Sequence, residues 1–239
     1  MIKNTFLPMM SGIVLLVMSV AVKATPITID VRYQNMVNGS ETISASLNDT
    51  SSRSVLAGMI RFSYDNLSSP LPFELDDDLT TFCIEFSQLI KTNQTLTYQI
   101  QSADELFGAA KADAITRLYS GFRDQTGTSI GNAAFQLALW EIVHDFQSDL
   151  SGFLLERGSF KTTSSNQSVT LAQSWLDQLA NIKSQHTMHV MTNSQSQNQL
   201  IFSGQPQTSF NDPVPVSAPA TLGIFGLGLL ALGLRRRQA

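Results

Sequence analysis

The chain has 239 residues, of which 43% are hydrophobic and 14% charged, with a single cysteine. One cysteine excludes an internal disulfide and a cysteine-based zinc cluster, and the low charge is offset by abundant Ser, Thr, Asn and Gln. The formal net charge is −4. Without Lys3, Lys23 and the terminal Arg235, Arg236 and Arg237, the body holds all the acidic residues and carries about −9, which excludes a nucleic-acid partner.

Residues 1–24 read as a cleavable export signal: Lys3, an apolar run over 13–18, then Val22-Lys23-Ala24 before the cut. Ile27, Ile29, Val31 and Tyr33 alternate as in a half-buried strand, and Ile43, Ala45 and Leu47 repeat the pattern. Residues 55–64 read as one further strand. A Ser-Pro loop follows, with the acidic run Asp76, Asp77 and Asp78, read as a solvated loop rather than a calcium site. Residues 81–90 and 95–100 complete the strands.

Ser102 to Glu105 form a capping box that opens a helix ending near Gly121, with Leu106, Ala110, Ile115, Leu118 and Phe122 expected inward. A second helix, about 132–146, is apolar nearly all round and so is expected to be buried. A third covers about 169–182, with Leu171, Ala172, Trp175, Leu176 and Leu179 on one face. Residues 186–192 and 199–202 read as returning strands. His186 and His189, three apart on a strand, face opposite ways and make no metal pair. The fold class is α+β: a β-sandwich or barrel with inserted buried helices, occupying 25–205, followed by a polar linker over 206–213.

The final segment, 214–239, carries Val216-Ser217-Ala218-Pro219-Ala220-Thr221-Leu222, an apolar stretch over 220–234 and three arginines. Fifteen residues make a helix of about 22 Å, short of the roughly 30 Å hydrocarbon core. This order resembles the PEP-CTERM sorting signal of Gram-negative bacteria, in a variant where Ala218 stands before Pro219 in place of glutamate. The resemblance implies Ser217, Ala218, Pro219, Ala220 and Thr221 as the motif. It also implies an exosortase-type processing peptidase, a transient inner-membrane intermediate and a destination at the cell surface or extracellular matrix.

Two residues in the body call for explanation. Cys83 is a lone thiol in a chain bound for an oxidising compartment. Gln136 is an amide inside the most apolar helix, where unsatisfied burial costs roughly 1–3 kcal/mol. Condensation of the Cys83 sulfur with the Gln136 carboxamide, releasing ammonia, would account for both. Phe82-Cys83-Ile84, Leu118-Tyr119-Ser120-Gly121 and Gln136-Leu137-Ala138-Leu139-Trp140 occur in that order. They resemble the motifs of bacterial surface thioester (TQXA) domains, with Phe135 at the threonine position. The resemblance implies a thioester electrophile that couples to an amine on a surface or matrix polymer, with Trp140, Glu85 and Tyr119 in support. No cofactor, metal or enzymatic turnover is expected.

Two other readings stay open. Cys83 and Gln136 can be plain core residues of a structural or polysaccharide-associated matrix protein. Alternatively, Cys83 and His144 can form the nucleophile–base pair of a secreted hydrolase, although neither sits in a local protease signature.

Overall fold

The computed structural model describes residues 25–206 except Pro72, Glu74, Asp76 and Asp77. The export signal, most of the linker and the sorting segment lie outside the described residues.

Six antiparallel strands close into a barrel in the order β1-β4-β5-β9-β8-β6. β1 (Ile27–Met36) follows the expected alternation, with Ile29 and Val31 buried. It joins β4 (Ile60–Asp65) on one flank and β6 (Thr95–Ser102) on the other. β5 (Leu79–Cys83) then pairs with β9 (Gln199–Pro206), which pairs with β8 (His186–Thr192). Closure leaves no free barrel edge. Beside it lies a three-stranded sheet with β2 (Glu41–Leu47) between β3 (Arg53–Ala57) and β7 (Phe160–Thr162). The strands therefore form a barrel and a small sheet rather than a two-sheet sandwich.

Residues 55–64 are not one strand. The chain leaves β3 for β4 at Gly58 and Met59, moving from the small sheet to the barrel. A side chain at 58 would stand 2.9 Å from Met36 Cε, and the Met59 carbonyl accepts the Val37 N–H at 2.8 Å. The strand expected over 81–90 also ends early, at Cys83. Beyond it the Glu85 and Phe86 carbonyls accept from the Gln197 and Arg53 side chains, so the backbone is committed outside a ladder. β9 extends to Pro206, past the strand expected over 199–202 and into the first residue of the expected linker.

All the helices among the described residues lie between β6 and β8. The Ser102 capping box is present, but its helix is interrupted at Gly108, whose φ of +77° breaks the helical path. α1 (Ala103–Phe107) and α2 (Ala109–Phe122) result. The break shifts the phase, leaving Leu106 and Ala110 exposed while Ala112, Ala114, Ile115, Leu118 and Phe122 turn inward. α3 (Ser129–His144) is capped by the Thr128 hydroxyl, which accepts the Gly131 N–H. Twelve of its sixteen residues are buried, so it is enclosed on every side for most of its length. α4 (Gln167–Leu176) ends earlier than expected and continues as a short 3-10 turn, Leu179–Asn181, that buries Leu179.

Candidate functional site

Cys83 is the last residue of β5, with Gln199 of β9 opposite it on one flank. On the other flank the β4 ladder stops at Thr81. Gln136, projecting from α3 and 1% exposed, covers that end. Its Oε1 accepts the Cys83 N–H at 2.9 Å, and its Nε2 donates to the Cys83 carbonyl at 2.7 Å. A carboxamide has the donor and acceptor of a peptide group, so one side chain brackets the cysteine main chain as another strand would. The structure thus brings together Cys83 and Gln136, which lie 53 positions apart in sequence.

The sulfur itself points elsewhere. The Cys83 thiol donates to Gln197 Oε1 at 2.8 Å, and Gln199 Nε2 approaches Sγ at 3.8 Å. Gln197 is fixed in turn. Its Nε2 donates to the Glu85 carbonyl, and its own carbonyl accepts from the Tyr98 hydroxyl and from Gln199 Nε2, each at 3.0 Å. Gln199 Oε1 accepts from the Thr81 hydroxyl at 2.8 Å. Two neutral carboxamides therefore meet the thiol, while a third, that of Gln136, brackets its main chain.

Gln197 and Gln199 were not legible as site residues. They stand in the polar stretch 193–199, where the one available signal is a Gln-x-Gln alternation entering an apolar strand. Burial pushes the Cys83 thiol up to about 12, and the nearby Glu85 charge adds to this, against the Gln199 N–H and the residue's own N–H. At neutral pH the group is a protonated thiol.

The residues expected in support occupy distinct places. Glu85 braces the loop before β9, its carboxylate accepting the Asn198 N–H at 3.1 Å. Trp140, one helical turn beyond Gln136, packs against Phe86 with ring centroids 5.3 Å apart and against Phe160 at 5.7 Å. Tyr119 stacks on Phe202 with ring centroids 4.0 Å apart and meets Phe135 edge-on. Phe135 is fully buried and lies 4.4 Å from Phe82, so an aromatic contact seats α3 on β5 where the resembled motif has threonine.

His144 is not paired with Cys83. It sits two turns past Gln136, about 12 Å along the helix axis, beside Phe160. Burial lowers its pKa. His186 contacts Ser120 and Arg123, whereas His189 lies 4.2 Å from the Phe73 ring. Asp78 pairs with Arg61 at 3.5 Å, while Asp76 and Asp77 lie outside the described residues. No helix among the described residues is long and apolar enough to cross a membrane.

No protein-family model matches the chain, and no curated protein matches it. Among solved structures the chain is similar to the thioester domain of the Staphylococcus aureus TIE protein. The identity is 10%, covering 72% of this chain and 92% of that one, with a TM-score of 0.45. It is also similar to the N-terminal thioester domain of a surface protein from Clostridium perfringens. There the identity is 13%, over 73% and 99% of the two chains, with a TM-score of 0.38.

Proposed function

We propose that this is an exported cell-surface or extracellular-matrix protein whose body forms an internal thioester between Cys83 and Gln136 and couples through it to an amine. The observation that carries this reading is the Gln136 carboxamide, held on the Cys83 main chain by two hydrogen bonds inside a buried helix–strand junction. In forming the bond, Sγ adds to the Gln136 Cδ and the Cδ–Nε2 bond breaks. The thiol proton leaves with the nitrogen as ammonia. An amine then adds to the same carbon, the C–S bond breaks, and the sulfur departs with a proton from the attacking nitrogen. The body is left attached through an amide, so the reaction runs once per molecule. It uses no cofactor and is not enzymatic turnover. The elevated thiol pKa and the absence of a Cys83–His144 contact speak against hydrolase chemistry.

The flanking segments complete the reading. The signal in 1–24 directs export, and the variant motif 217–221 with Arg235, Arg236 and Arg237 directs a membrane-held intermediate to an exosortase-type peptidase. The product is delivered to the surface or matrix.

The 2.8 Å contact between Cys83 and Gln197 favours a second reading of the bond, with Gln197 as the acyl partner. Intact mass followed by peptide mapping decides between them. A thioester body is lighter than its sequence by one ammonia, and methylamine labels the acyl residue while freeing the thiol. Label on Gln136 supports the main reading and label on Gln197 the second. Full mass with a titratable thiol after unfolding refutes both and leaves a non-covalent matrix protein.

A further inference from the structure

The Cys83 end of β5 opens onto a cavity of about 380 Å³ between the barrel, β3 and α3. Cys83 and Gln197 line it, as do Phe86 and Trp140. Leu56 and Leu89 line it as well, at 61% and 73% exposure. Large apolar side chains are left in water at this rim although the interior behind them is apolar. Trp140 is 3% exposed, and its indole N–H has no acceptor among the described residues.

Charge is distributed one way. Arg53 is the one charged residue among the described lining. Its guanidinium lies 4.5 Å over the Phe86 ring and donates to the Phe86 carbonyl. No carboxylate is among the described residues that line the cavity. Glu85, whose charge is felt at the sulfur, turns to the Asn198 N–H and lines a separate polar cleft. An ammonium entering the cavity finds no counter-ion and a fixed cation, and burying it unpaired is costly.

From these features we infer that the cavity is the amine-entry site, and that it selects a primary amine carried on an alkyl or aromatic body over a dicationic or lysine-like one. The inference rests on the thioester reading and deepens it. The apolar body occupies the space between Leu56, Leu89 and Phe86, and the nitrogen enters as the free base. Once the thiol is consumed, Gln197 Oε1 loses the S–H it accepts and becomes available to an N–H of the incoming amine. It thereby holds the nitrogen at the Cys83 end of the cavity, on the sulfur side of the thioester. The nitrogen's second proton leaves with the sulfur as the C–S bond breaks.

The test compares hexylamine, phenethylamine and methylamine with cadaverine on the wild-type protein, following adduct mass against time at one pH. In parallel, intrinsic tryptophan emission, to which the cavity-lining Trp140 contributes beside Trp175, is followed as phenethylamine or cadaverine is titrated into the Cys83→Ala variant, which cannot condense. Hexylamine and phenethylamine are expected to couple roughly tenfold or more faster than cadaverine. Leu56→Asp with Leu89→Asp should collapse the hexylamine-to-methylamine ratio, and Gln197→Leu should slow every amine. In Cys83→Ala, phenethylamine should perturb the emission at concentrations where cadaverine does not. Equal coupling rates for all four amines overturn the inference while leaving the thioester standing. Selective binding without any adduct overturns the thioester and supports the cavity's selectivity. Absence of both binding and selectivity overturns the inference outright.

Discussion

The two hydrogen bonds from Gln136 to the Cys83 main chain can be measured apart from any chemistry. In a Cys83→Ala background no thioester forms, yet the bracket from the Gln136 side chain persists, because at residue 83 it uses backbone atoms alone. Adding Gln136→Met keeps nearly the same volume in a helix already apolar on every side, so little cavity cost enters. What is lost is the partner of one buried N–H and one buried carbonyl. Each such group left unpaired costs about 1–3 kcal/mol, so the double variant should be less stable than Cys83→Ala by roughly 2–6 kcal/mol. For a domain of this size, each kcal/mol moves Tm by about 2–4 °C. Urea denaturation of both variants, with m-values compared to verify that the same surface unfolds, reads the difference directly. A loss under about 0.5 kcal/mol would mean that water or a shifted loop satisfies Cys83 as well as Gln136 does. The bracket would then hold nothing in place.

Three further expectations concern other parts of the chain. Glu141 is 1% exposed, and burial raises its pKa to about 8 while the Leu154 N–H opposes the rise. The folded state therefore keeps a proton that the unfolded chain releases above its ordinary value of 4.5. This contribution is full below that value and is lost as pH climbs through about 8, so Glu141→Gln should flatten the decline in a pH series of urea melts. A side chain at Gly131 would stand 2.0 Å from the Gln125 carbonyl, so Gly131→Ala should displace the start of α3 and cost about 1–3 kcal/mol in the same assay. An unchanged midpoint would show that the loop yields freely. Deleting Arg235 to Arg237 should leave processing incomplete, read as uncleaved precursor in cell fractions. Normal maturation would remove the arginines from the sorting signal.

The chain alone was enough to specify which residues are inward in β1 and β2, the capping box at Ser102, the burial of α3 and the anomaly of an amide within it. Each of these depends on a local period or a local bonding need, and such needs are written in neighbouring residues. Local pattern gave no account of where strands stop. Residues 55–64 alternate well enough for one strand, but Gly58 must pass close to Met36, 22 positions earlier, and the chain changes sheets there. The run after Cys83 looks extended, yet its carbonyls are claimed by Gln197 and Arg53, which arrive from distant segments. The site divides along the same line. Cys83 and Gln136 stood out because a lone thiol and an amide in an apolar helix violate composition locally. Gln197 and Gln199 violate nothing in their own surroundings, since glutamine in a polar stretch is ordinary. Only the closure of β9 against β5 turns them onto the sulfur and makes a polar loop part of a buried site, because strand pairing, unlike helical period, joins residues that the sequence keeps far apart.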